Sequence, residues 1–110
     1  MAKYERKIIG DFHDVINKLH NEIMNSGVSM NLVDESNYSI GSTNIAVRIY
    51  DKYFMRNESR ASLSVTVVGQ DSEIFISAIG AGGGRGVFFN YSLGAEDDMV
   101  DIVRNLIENM

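Results

Sequence analysis

Between residues 28 and 80 the sequence changes character at every second residue, and that alternation restricts the possible folds more than any other feature. In "RASLSVTVVGQ", Leu63, Val65 and Val67 alternate with Ser62, Ser64 and Thr66. Successive side chains of a strand point to opposite faces, so the pattern predicts a strand with one buried and one wet side. "VSMNLV" and "NYSIG" alternate in the same way, placing Val28, Met30 and Leu32, then Tyr38 and Ile40, with "DESN" between them as a bulge or loop. "STNIAVRIYDKYF" sets Ile45, Val47 and Ile49 against Ala46, Arg48 and Tyr50, and "SEIFISAIG" reads as a shorter, more buried strand. The polar turns "IGST", "RNES" and "GQDS" are short, which favours antiparallel hairpins.

Two helical periods bracket this region. "KYERKII" reads as a short strand, and "GDFHDVINKLHNEIMNSG" then puts Phe12, Val15, Ile16, Leu19 and Ile23 on one helix face. Asp11 is a good N-cap with Asp14 three residues on, and Gly27 supplies a stop. In "GAEDDMVDIVRNLIENM", Met99, Ile102, Val103, Leu106 and Met110 form an apolar stripe widened by Val100 and Ile107, with Glu96, Asp97 and Asp98 in the first turn.

The expected fold is therefore α+β: one antiparallel sheet of four to six strands, in the order β-α-β-β-β-β-α, with a last short strand at Val87 to Phe89 as an option. Strands that alternate need one covering layer, and two amphipathic helices packed on one face supply it. The arrangement is similar to that of TATA-binding-protein-like and helix-grip folds, in which a curved sheet packs around a helix; such folds host unrelated functions. With 110 residues the chain has the length of a single domain, residues 1–110.

Composition narrows the chemistry. Cysteine is absent, which removes disulfides, thiolate metal sites and thiol nucleophiles. A formal charge of −5, with scattered Lys and Arg, disfavours nucleic acid and anionic lipid as partners. No apolar run approaches the roughly 20 residues that span a bilayer, and the opening "MAKYERKIIGDF" lacks the apolar core of a signal peptide, so a cytoplasmic location is expected.

The sharpest question lies in "AIGAGGGRGVFFN", where five of the seven residues from Gly80 to Gly86 are glycine. Ordering a glycine costs about 0.5–1 kcal/mol more than ordering an alanine, so the run either stays mobile or answers a need for bare backbone. Three readings stay open: a connector or bulge after the last strand, a flap over a pocket or partner surface, and a phosphate-binding nest assisted by Arg85. The nest departs from the known fingerprints. Arg85 stands where a third glycine belongs, no Gly-Lys-Ser/Thr follows, and "VFFNYSL" separates the run from the next helix.

Other constellations carry little chemistry. His13 and His20 lie about 10.5 Å apart along the first helix, too far to share one metal ion, and read as boundary residues. Asp97 and Asp101 stand at i, i+4, but acidic residues at a helix N-terminus already have a cause in the helix dipole. No Gly-x-Ser-x-Gly elbow is present. An enzyme would need polar groups converging near Arg85, Tyr91 or His20, so no enzymatic activity, cofactor or metal is expected. Ser62, Ser64 and Thr66, with Arg48 and Tyr50 beside them, would form the wet side of the sheet, a binding surface or a subunit interface.

The segments "MAKYERKIIGDFHDVINKLHNEI", "NIAVRIYDKYF" and "EIFISAIGAGGGRGVFFNYSLGAEDDM" together resemble a small bacterial family known as a domain of unknown function. The resemblance implies a cytosolic bacterial protein and carries no catalytic or binding residues. The expected role is a binding or interaction module that self-associates as a homodimer, with Tyr50, Tyr53, Phe54 and Phe88 as interface residues. The alternative is a helix-grip pocket for an apolar or phosphorylated small molecule, with Gly82, Gly83, Gly84, Arg85 and Phe89 as its ligand-binding residues and Val103 and Ile107 in its wall.

Overall fold

A computed structural model of the chain describes residues 2–27, 29–54, 59–83 and 95–110. The elements follow in the order β1 (Ala2–Ile9), α1 (Phe12–Met24), β2 (Asn31–Ile40), β3 (Thr43–Phe54), β4 (Ser59–Gln70), β5 (Glu73–Gly83) and α2 (Ala95–Glu108). This is the expected β-α-β-β-β-β-α order. The strands form one antiparallel sheet in the spatial order β1-β5-β4-β3-β2. Val87 to Phe89, the optional last strand, lie outside the described residues.

Local chemistry accounts for the boundaries. Asp11 Oδ2 accepts the Asp14 amide at 3.0 Å and caps α1 as its spacing predicts. The helix ends at Met24, with Asn25 rather than Gly27 as its cap. Two-residue turns join β2 to β3 and β4 to β5, and their left-handed positions are filled by Gly41 and by Asp71, one of the residue types that tolerate that region. The β2–β3 register shifts at Val33, one residue before "DESN"; residues 34–37 are themselves paired strand, so the expected bulge lies just ahead of the place assigned to it.

Both helices lie on one face. α2 covers β4, β5 and β1, while α1 meets α2 and β4. Leu63, Val65 and Val67 of β4 and Ile74 and Ile76 of β5 pack there against Val15, Leu19 and Ile23 of α1 and Met99, Val100 and Val103 of α2, all buried. Each such side chain contributes about 1.5–3 kcal/mol by leaving water, so this layer dominates the stability of the domain. Met110, assigned to the apolar stripe of α2, is exposed.

The glycine run is only partly a connection. Gly80, Gly82 and Gly83 belong to β5, opposite Leu63, Ala61 and Arg60 of β4. At Gly80 the need for bare backbone is visible: a Cβ would sit 2.6 Å from the Glu96 carbonyl oxygen and 3.0 Å from Val100 Cγ2. The first turn of α2 rests directly on the strand there. Gly84, Arg85 and Gly86 lie outside the described residues.

Candidate functional site: the helix-free face of the sheet

The register decides which side chains share the face that carries no helix. Tyr50 pairs with Leu63, and Arg48 pairs with Val65, so both belong to the helix-covered face. This corrects the expectation that Arg48 and Tyr50 stand beside Ser62, Ser64 and Thr66. The neighbours of those three polar residues on β3 are instead Ile49 and Val47, opposite Ser64 and Thr66, with Asp51 opposite Ser62. Strand β3 thus turns its branched apolar residues away from the helices.

Four rows run across the helix-free face from β2 to β1, each read from the pairings. They are Ile40, Thr43, Gln70, Glu73 and Ile9; Tyr38, Ile45, Val68, Phe75 and Lys7; Ser36, Val47, Thr66, Ser77 and Glu5; and Asp34, Ile49, Ser64, Ile79 and Lys3. Ile9, Tyr38 and Ile40 are strongly exposed, at 75%, 62% and 60%, and Ile79 is also exposed. Ile45, Val47, Ile49, Val68 and Phe75 are half-buried by their sheet neighbours alone. The apolar belt is bordered by charge and by one internal bond, in which Ser77 Oγ donates to Glu5 Oε2 at 2.9 Å.

The face is not flat. A shallow hollow of about 410 Å³ opens at the β1 side, lined by Ile9, Val68 and Phe75 and rimmed by Lys7, Gln70 and Glu73. On the opposite side the β2–β3 hairpin presents Tyr38 and Ile40, on the same two rows as the hollow.

The interface candidates divide. Tyr50 is buried at 1% exposure, so it is a core residue and not an exposed aromatic. Its hydroxyl meets His20 Nδ1 at 2.9 Å under α1. Burial pushes that hydroxyl up to about 12, against the lowering pull of Arg48 and with a further rise from Glu35. Arg48 in turn bonds Glu35 Oε1 through Nε at 3.1 Å and donates to the Val47 carbonyl at 3.0 Å. Tyr53 is exposed on the helix-free face beneath the Arg60 guanidinium, whose carbon lies 5.7 Å from the ring centroid. Phe54 lies on the covered face, partly buried against the core with Lys52 Nζ 4.9 Å from its ring. Phe88 lies outside the described residues.

The pocket candidates come together even less. Val103 and Ile107 are packed into the core; Ile107 also lines a depression of about 530 Å³ beside Ile8, Gly10 and Val15, away from Gly82 and Gly83, and Gly84, Phe89 and Tyr91 are outside the described residues. A depression of about 380 Å³ opens instead at the N-terminal end of α2, lined by Ser26, Lys52, Phe54, Asp98, Met99 and Ile102. Ile102 is the member of the α2 stripe that reaches it.

His20 is held by Tyr50, and His13 packs edge-on against Phe12 with ring centroids 5.3 Å apart. Among the described residues no three His, Asp or Glu side chains converge as metal ligands, and no helix is long and apolar enough to cross a membrane. Sequence reasoning missed Ile45, Val47, Ile49 and Phe75 as surface residues. The signal was present in β3, where both sides of the alternation carry apolar residues.

A search of the curated proteins finds no match to this sequence. A family model does match, over residues 1–110, and the chain belongs to that family: DUF6054, a family of unknown function.

Proposed function

We propose that this chain is a non-enzymatic interaction module that self-associates through the helix-free face of its sheet. The observation that carries the reading is the outward direction of Ile45, Val47, Ile49, Val68, Phe75 and Ile79, over which no other described element is packed. Soluble monomers rarely leave contiguous apolar patches beyond a few hundred Å² open to water. Five strands about 4.8 Å apart and four rows about 6.7 Å apart cover roughly 24 by 27 Å, on the order of 650 Å² for the whole face, with nine of its twenty row positions apolar or aromatic. That approaches the roughly 800 Å² per partner of a standard stable interface.

A second copy fits this face better than a nucleic acid does, because the chain is acidic overall and the two lysines of the face, Lys3 and Lys7, stand with Glu5 between them. Analytical ultracentrifugation up to high micromolar concentration tests the reading. A dimer is expected, converted to monomer by Phe75→Glu with the circular dichroism spectrum unchanged. Monomer at every concentration overturns it. Native mass spectrometry of the same sample reports any retained small molecule as mass beyond an integer number of chains, the result that would favour the pocket alternative.

A further inference from the structure

We infer that the two copies are related by a two-fold axis running roughly along β4, so that Tyr38 and Ile40 of each copy enter the hollow bounded by Lys7, Ile9, Val68 and Phe75 of the other. The inference deepens the self-association reading and rests on it.

A two-fold axis lying in the interface along the central strand preserves each row and reverses its order, so β2 of one copy lies over β1 of the other. Applied to the four rows, this sets Ile40 over Ile9, Tyr38 over Lys7, Ile45 over Phe75 and Ile49 over Ile79, with Val68 facing its own copy. Apart from Val47, which faces Ser77, each apolar side chain of the rows meets another or, for Tyr38, an aliphatic stem bearing a cation. The exposed hairpin side chains and the hollow occupy the same rows at opposite ends, which is the self-complementarity that an isologous contact requires.

Charge favours the same operation over a transverse axis centred on the row of Thr66. Asp34 and Lys3 end one row, so the reversal places each Asp34 over the partner copy's Lys3 and creates two opposite-charge pairs. A two-fold axis across the strands, centred on the row of Thr66, would put Lys3 over Lys7 and Glu5 over Glu5. Like charges face to face make that arrangement the poorer one. Stacked sheets keep their strands within about 30° of each other, which the axis along β4 satisfies without moving any strand.

The chain has no cysteine, so a single introduced thiol carries a spin label without background. Ser72 is exposed in the turn between β4 and β5, close to the end of the inferred axis; it does not itself line the hollow, although Gln70 and Glu73 on either side of the turn do. In labelled Ser72→Cys, the inter-copy distance is expected below about 25 Å, since stacked sheets lie about 10 Å apart; the transverse arrangement would separate the labels by about 40 Å. The second measurement is a charge exchange. Lys3→Asp alone, or Asp34→Lys alone, is expected to weaken the dimer about tenfold, and the double variant to restore it. A dimer with the long label distance, or without rescue by the exchange, overturns this arrangement while self-association stands. A monomer at every concentration overturns both.

Discussion

The two faces of the sheet are made from the same strands and differ in what binds their apolar residues. On the covered face Leu63, Val65, Ile74 and Ile76 are almost wholly removed from water by α1 and α2. On the other face Ile45, Val47, Ile49 and Phe75 have comparable side chains but only lateral neighbours. One set of residues holds the domain together; the other is the set that the proposed self-association would cover. Hydrophobicity along the chain does not distinguish them; the packing of the helices does.

The strongest way to break that distinction is to remove side-chain volume from the covered face. Ile76 is fully buried, and Ile76→Ala is expected to destabilise the monomer by about 2–5 kcal/mol, through lost transfer free energy and an unfilled cavity. Urea unfolding at a concentration low enough to keep the chain monomeric measures it. A cost below about 1 kcal/mol would mean that the helices are not seated on β5 as described.

A second test uses the polar pair on the covered face. The Tyr50 hydroxyl is raised to about 12 by burial, whereas in the unfolded chain a tyrosine releases its proton near pH 10. The folded state therefore holds this proton more tightly. Its contribution is complete below about pH 10 and is lost as pH rises to about 12, a decline of about 2–3 kcal/mol. Unfolding midpoints across that window should fall less steeply in Tyr50→Phe than in the parent chain. Equal slopes would place Tyr50 in contact with water.

How much of this was legible beforehand can be seen strand by strand. β4 was legible because its other side is polar except at Val68, so period and burial coincide at Leu63, Val65 and Val67. The helices were legible for the same reason, and Asp11 fixed the start of α1. β3 was misread because Ile45, Val47 and Ile49 compete with Ala46, Arg48 and Tyr50 for the core, and period alone cannot name the winner. The side was decided by partners distant in sequence: Leu63 opposite Tyr50, His20 for its hydroxyl, and Glu35 for Arg48. The candidate surface was hidden with it. A strand whose outward side reads as its core side conceals the surface that it builds.

The glycine run shows the same limit at a single atom. Its composition announces a need for bare backbone, and the cause at Gly80 is a helix that begins 15 residues later. Gly80→Ala brings a methyl group against the Glu96 carbonyl, where backbone must move, and is expected to cost about 1–3 kcal/mol. Thermal melts measure it. An unchanged or raised melting temperature would show that α2 does not rest on β5 at this point.

The smallest effect on stability is the most informative about the two faces. Ile79 stands on the helix-free face, between Ser64 and Lys3, at 38% exposure. Ile79→Thr keeps the β-branch that suits a strand and removes apolar surface without opening a covered cavity. In the monomer it is expected to cost less than about 1 kcal/mol, because surface positions away from packed features tolerate exchange. In the dimer both copies lose an apolar contact with Ile49, so the dissociation constant is expected to rise about tenfold, which sedimentation equilibrium resolves. A variant that destabilised the monomer as strongly as Ile76→Ala would make the two faces equivalent and remove the ground for reading one of them as a working surface. A variant neutral in both measurements would instead leave the face apolar without purpose at this position, and move the interface toward the Tyr38 and Ile40 side.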